Sequence, residues 1–157
     1  MKRSSKVLLL AFRLFLGIIM IKAGAGKLIK HTKLSSQDVI EKVIKIETKD
    51  SAKKTLYISG MKQTGFAWEM VALGELFFGL FLFFYRTYFF GSIFLLPVTA
   101  HIFLFHLVLE PDEIGELIYC GALFAINLIL IFFENNHWKL LFFKINKPRK
   151  LYREFTG

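Results

Sequence analysis

Cysteine is almost absent from this sequence, since Cys120 is the only one among 157 residues. One cysteine cannot form a disulfide within the chain, and no pair is present that could act as a CxxC redox motif. The four histidines and the one cysteine also show no spacing typical of a zinc site. We therefore expect neither a structural metal nor a dithiol active site.

Acidic residues are scarce as well. The chain has 12 Asp and Glu against 21 Lys and Arg, which gives a formal net charge of +9. Such a balance can indicate nucleic-acid binding, but here the basic residues lie between apolar blocks rather than in one patch. They are better interpreted as topology signals and as contacts to anionic lipids, so we expect no nucleic-acid partner.

The sequence also lacks the polar surface that a soluble domain needs. It is 55% hydrophobic, with 19 Phe and a mean hydropathy of +0.50. A bilayer requires about 20 apolar residues per helix, and four stretches approach that length: 7–25, 66–84, 88–109 and 117–133. We predict an all-α membrane protein, a four-helix transmembrane bundle, as one domain over 1–138 with a basic tail at 139–157.

The first stretch resembles a signal peptide, because basic residues precede it and Ala-Gly-Ala at 23–25 resembles a cleavage site. However, Arg13 interrupts the apolar region and Lys22 adjoins the supposed site. Both features favour a retained helix.

The charges between the stretches predict the topology. Basic residues are numerous in the tail and at the N-terminus, whereas the loop before the last stretch has four acids and no Lys or Arg. The positive-inside rule then places both termini in the cytoplasm, in a bacterial inner membrane. The first loop argues the other way, with nine Lys between Lys27 and Lys62, although it also contains four acids.

The first loop has its own helical pattern. Ser35 or Ser36 can cap a short helix whose apolar stripe comprises Val39, Ile40, Val43 and Ile44. Such an amphipathic helix can lie on the membrane, or it can be a solvated helix with a small apolar face. A second short apolar segment precedes the 66–84 stretch, and two tryptophans, Trp68 and Trp138, lie near span ends, where indoles favour the interface.

Charged residues within the spans are candidates for a polar core. Arg13, Gly17, Gly24 and Lys27 fall on one side of the first helix, and glycines allow close packing of helices. Lys27 ends this side, where we expect an interface or the mouth of a ligand site. Lys22 points the opposite way and can extend to the headgroups.

The second span carries a mid-span acid, Glu75, with Gly79 one turn away. From their estimated depths we predict that Glu75 and Arg13 form a buried ion pair supported by Asn127 of the fourth span. Whether such a pair would be structural or functional is open.

Two histidines of the third span, His101 and His106, are further candidates for the polar core. They are five residues apart and lie about 140° apart around the helix. A bis-His haem would need histidines on two helices of the bundle, so we predict no haem in a single chain. Packing through a hydrogen bond is the commoner role of such histidines, although an apolar interior with one or two His donors can also bind a quinone. We find no nucleophile–base pair and expect no autonomous catalytic activity.

Several motifs occur in an order that resembles the DoxX-like family of four-helix integral membrane proteins (DoxX/DoxD). The stretch RLFLGIIMIKAGAGKL, residues 13–28, resembles the first helix of that family. A closer match follows from Met61 to Pro111, with TGF, GELFFG, YRTY, Pro97 and LFHLVLEP. The chain departs from the family where His101 replaces a more usual Asn, in its Lys-rich first loop, and in the charged tail.

The resemblance implies the fold more strongly than any chemistry. It suggests a non-catalytic membrane subunit or scaffold of a redox assembly, quinone-linked or involved in thiol stress, with membrane oxidoreductase subunits as partners. An assembly or trafficking factor without redox chemistry is the alternative. A small proton-coupled transporter is less favoured, because Arg13 would neutralise Glu75. An oligomer is compatible with either role.

Overall fold

The computed structural model describes residues 3–29, 35–46 and 49–133. Within these ranges the chain forms six helices, which confirms the predicted all-helical class: α1 Arg3–Ile29, α2 Ser36–Ile44, α3 Lys49–Gln63, α4 Ala67–Phe81, α5 Tyr88–Leu109 and α6 Ile114–Phe132. The predicted basic tail 139–157 and Trp138 lie outside the described residues.

Four of these helices pack in a ring. α1 contacts α4 and α6, and α5 contacts the same two helices, so α1 and α5 lie diagonally opposite each other. The centre of the ring is a cluster of buried apolar side chains that includes Leu16, Met20, Leu82, Phe89, Leu95, Leu123 and Leu130. Large apolar side chains are also exposed on the outside, among them Phe15, Ile18, Phe94, Leu104 and Ile118. An apolar exterior of this extent is typical of a surface that contacts lipid.

Three helices of the described chain are long and apolar enough to cross a membrane by themselves, namely α1, α5 and α6. They coincide with the first, third and fourth predicted spans. The third span agrees at both ends, whereas the first helix extends beyond the predicted 7–25 in both directions.

The second predicted span, 66–84, is shorter in the structure. Its helix α4 has 15 residues, which corresponds to about 22 Å, against roughly 30 Å for a hydrocarbon core. Its last turn is closed by i→i+3 hydrogen bonds from the backbone amides of residues 82–84, after which the chain reverses into α5. Gly91 permits this reversal, because a Cβ there would lie 2.9 Å from the Phe78 carbonyl oxygen.

The helix before α4 was predicted only as a short apolar segment. It is the 15-residue helix α3, which meets α4 at a bend of 86°. By length and composition, the described chain therefore has three candidate spans, or four if this bent pair is one span. Gly65 forms the bend with a φ of 73°, in the region that favours glycine. The Thr64 hydroxyl accepts a hydrogen bond from the Ala67 amide and so caps the start of α4.

The capped helix predicted in the first loop is α2. The Ser35 hydroxyl accepts from the Asp38 amide, and the Asp38 carboxylate accepts from the Ser35 amide, which completes a capping box. The backbone hydrogen bond from Ser35 lowers the pKa of Asp38 below its usual value. Val39 of the apolar stripe is buried, whereas Ile40 and Ile44 are exposed.

Candidate functional site: a cavity lined by five helices

A cavity of about 800 Å³ lies between the ring of four helices and α3. Aliphatic side chains such as Ile19, Ile58 and Leu123 form much of its wall. Its polar lining residues are Lys22, Lys27, Tyr57, Lys62, Trp68, His101, His106, Tyr119 and Cys120. A concave, mostly apolar space with a few polar groups is the usual form of a small-molecule site.

A charge contact beside the cavity joins α1 to α4. Lys27 donates a hydrogen bond from Nζ to Oε1 of Glu75, whose side chain is fully buried, while the Lys27 side chain is 22% exposed. Lys27 Nζ also lies 5.9 Å from the centre of the Trp68 ring, and Lys62 Nζ lies 4.8 Å from the same ring. Two ammonium groups therefore contact one indole at the cavity wall, as in cation–π interactions.

The predicted pairing of Glu75 with Arg13 is corrected by this contact. Arg13 is buried, but its guanidinium lies over the Tyr88 ring, 4.7 Å from the ring centre. Its Nε has no hydrogen-bond partner among the described residues. The register of α1 against α4 explains the difference. Gly17 lies beside Gly79 and Gly24 lies beside Glu75. Arg13 therefore lies near the end of α4 and contacts the first residue of α5 instead of Glu75.

The direction of the side chains also favours Lys27 over Arg13 as the partner of Glu75. Helical side chains lean toward the N-terminus of their own helix. Lys27 follows Gly24 by one turn and therefore leans back toward Glu75, whereas Arg13 leans away from it. The partner of Glu75 is thus Lys27, the residue at which we predicted an interface or the mouth of a ligand site.

Three glycines set the distance between α1 and α4. A Cβ at Gly24 would lie 2.5 Å from the Ala72 carbonyl oxygen, and one at Gly79 would lie 3.0 Å from Met20 Cβ. At Gly17 the nearest atom is 2.8 Å away, in the Phe83 ring. The glycines proposed from the sequence as packing positions therefore lie in the α1–α4 contact.

Asn127 lies apart from the Lys27–Glu75 pair. Its side chain is fully buried and donates to the Thr99 hydroxyl at 3.1 Å, which links α6 to α5. Its Oδ1 has no partner within the described chain. The predicted support of the ion pair by Asn127 is therefore replaced by a bond between two other helices.

α3 is held against α5 by polar contacts. The Tyr57 hydroxyl is hydrogen-bonded to Nε2 of His101, and the Tyr57 ring lies 5.7 Å from that of Phe105. Closer to the end of α5, Lys54 forms an ion pair with Glu110. These contacts are not predictable from the sequence, in which Tyr57 is only one member of a short apolar segment.

A second polar cluster lies where α5 ends and α6 begins. A ring nitrogen of His106, a carboxylate oxygen of Glu116 and Sγ of Cys120 all lie within 4.8 Å of one another. Nδ1 of His106 also lies 2.8 Å from Oε2 of Glu110. The two histidines of α5 thus have different partners, although both line the cavity despite their angular separation around the helix.

The lipid-facing exterior and the spanning helices define an integral membrane protein of helical type. The family model for DoxX matches residues 8–107. The match covers well over half of the chain, so the protein belongs to the DoxX family, as its ordered motifs indicated. Neither the curated proteins nor the solved structures contain a significant match.

Proposed function

We propose that this DoxX-family protein is a membrane subunit that binds a lipid-soluble quinone in the cavity and serves a membrane oxidoreductase without catalysing the reaction alone. The observation that carries the proposal is the cavity itself. Its volume of about 800 Å³ falls within the range of roughly 300–1,000 Å³ typical of small-molecule sites. A quinone ring with part of its isoprenoid tail is an occupant of suitable size and polarity.

The polar groups suit a ring that carries two carbonyl oxygens. His101 and its partner Tyr57 supply hydrogen-bonding groups from α5 and α3, and Lys27 supplies an ammonium from α1. α1 and α5 occupy diagonal positions in the ring of helices, so donors approach a bound molecule from two sides. The indole of Trp68 adds a flat aromatic surface on which such a ring can stack.

Quinone binding can be measured through Trp68. We expect a soluble ubiquinone or menaquinone analogue, titrated into the purified chain, to quench tryptophan fluorescence saturably. Tyr57→Phe removes one hydrogen-bonding group and should weaken binding about tenfold, since a hydrogen bond is worth roughly 1–1.5 kcal/mol. Tyr85→Phe is the matched control, because Tyr85 is exposed and does not line the cavity.

Two results would contradict the proposal. One is linear quenching that persists in Trp68→Phe, which would indicate partition of the quinone into the detergent. The other is an equal affinity in Tyr57→Phe and Tyr85→Phe, which would place the quinone elsewhere.

The topology proposed for this subunit has four crossings, with the bent pair α3–α4 as the second and both termini in the cytoplasm of a bacterium. The charge distribution of the sequence supports it. We expect a cytoplasmic reporter to be active when fused after Lys150, and a periplasmic reporter to be active within residues 45–54. A periplasmic signal from the fusion after Lys150 would mean an odd number of crossings or the reverse orientation.

A further inference from the structure

We propose that His106, Glu116 and Cys120 bind a divalent transition-metal ion such as Zn²⁺, with an open coordination position directed into the cavity. The site does not depend on the proposed quinone. It adds a metal-binding function that the sequence alone led us not to expect, because the ligands lie on two helices and show no recognisable spacing along the chain.

The geometry of the three groups fits one ion. Their ligand atoms lie within 4.8 Å of one another. In a tetrahedral site with bonds of about 2.0–2.3 Å, ligand atoms lie about 3.5 Å apart. Side-chain rotations of roughly 1 Å at the ligand atoms would therefore close the site around an ion without a change of fold.

Rigid helices supply all three ligands. Glu116 and Cys120 lie one turn apart on α6, and His106 lies in the last turn of α5, which packs along α6. Residues four apart in a helix share one face, so the carboxylate and the thiol point the same way. Ligands placed on packed helices are held more firmly than ligands on a loop.

A fourth residue lies close to the histidine ring. Oε2 of Glu110 lies 2.8 Å from Nδ1 of His106, although the two atoms are not aligned for a hydrogen bond. Binding of the ion through Nε2, with a small rotation of the ring, would let Nδ1 donate to this carboxylate and so orient the imidazole. Glu110 is itself held by its ion pair with Lys54 on α3, so the support extends to the helix that closes the cavity.

The chemical types of the three ligands determine which metal ion is favoured. A thiolate and an imidazole favour Zn²⁺ and similar ions, whereas Mg²⁺ and Ca²⁺ prefer oxygen ligands. Glu116 is exposed in the first turn of α6, while His106 and Cys120 line the cavity. Three protein ligands leave a fourth position for water or for a bound molecule, as in catalytic zinc sites.

Absorption of bound Co²⁺ provides a direct test of the site. Titration of the purified, tag-free chain with Co²⁺ should give a thiolate-to-cobalt charge-transfer band that saturates at one ion per chain and is lost on addition of Zn²⁺. Binding requires the thiolate of Cys120, so one proton is released. Cys120→Ser should abolish the band, and Glu110→Gln should weaken affinity about 10- to 100-fold, as the loss of an orienting carboxylate does.

Matched variants distinguish a specific metal site from nonspecific Co²⁺ binding. Glu116→Gln should weaken Co²⁺ binding, whereas Glu113→Gln should not, because Glu113 is an exposed acid outside the cluster. Circular dichroism and gel filtration of each variant establish that it is folded. Absence of a saturable band in the folded parent, a band that survives in Cys120→Ser, or equal effects of the two glutamate variants would overturn the site. Quinone titration of Glu116→Gln tests the proposed function separately, because Glu116 belongs to the cluster but does not line the cavity. Weakened cobalt binding with unchanged quinone affinity in this variant supports two independent functions.

Discussion

Replacement of Lys27 by leucine is expected to destabilise the folded protein by roughly 3–5 kcal/mol, the usual cost of removing one partner of a buried ion pair. The carboxylate of Glu75 would remain fully buried without a cation. Glu75→Leu should cost less, since Lys27 is 22% exposed and can turn toward water. The double substitution should recover much of the loss, because apolar replacement of both partners is often tolerated.

A double-mutant cycle on the purified protein, with the free energy of unfolding measured in mixed micelles, quantifies this coupling. Arg13 provides the comparison, since the structure places it over Tyr88. We expect strong coupling between Lys27 and Glu75 and additive effects for Arg13 and Glu75. Lys22→Leu is the control for loss of an exposed lysine from the same helix. Coupling of Glu75 to Arg13 instead of Lys27 would mean that α1 and α4 are displaced from the register described.

Gly24→Ala should be the second strongly destabilising change, although it adds a single methyl group. That group would lie 2.5 Å from the Ala72 carbonyl oxygen and 2.9 Å from the Leu76 amide nitrogen. Both atoms belong to the backbone of α4, so the helices must separate. Overpacking of this kind typically costs about 1–3 kcal/mol.

Gly26 is a matched control on the same helix, because a Cβ there meets no atom within 4 Å. Gly26→Ala should be neutral or stabilising by up to about 1 kcal/mol, since alanine favours a helix more than glycine does. The two substitutions should therefore change the free energy of unfolding in opposite directions. The same sign and size for both would show that α1 and α4 do not meet at Gly24.

Local signals predicted much of the fold. The length of apolar runs indicated α1, α5 and α6, and the serine before an apolar stripe indicated α2. The end of α4 was missed because the turn after it, residues 82–84, is made of Leu and Phe rather than of turn-forming residues. The bend at Gly65 was missed because a single glycine between two apolar segments does not reveal a positive φ.

The site was harder to predict, since it depends on the axial register of each helix relative to its neighbours. A helical projection gives the direction of Arg13 and Lys27 but not which of them stands beside Glu75. The cavity requires α3 to fold against α5, and nothing in the sequence of α3 specifies that contact. The cluster of His106, Glu116 and Cys120 likewise requires α5 and α6 to be placed side by side.

The unequal lengths of α1 and α4 have a consequence for the surrounding lipid. α1 has 27 residues and can cross a bilayer with considerable tilt, whereas α4 has 15, about 8 Å short of a typical hydrocarbon core. Such hydrophobic mismatch is accommodated by local thinning of the bilayer beside the short helix. Headgroups would then descend toward the start of α4, where Trp68 lines the cavity. An amphiphile that enters there would travel a shorter distance from the headgroup layer.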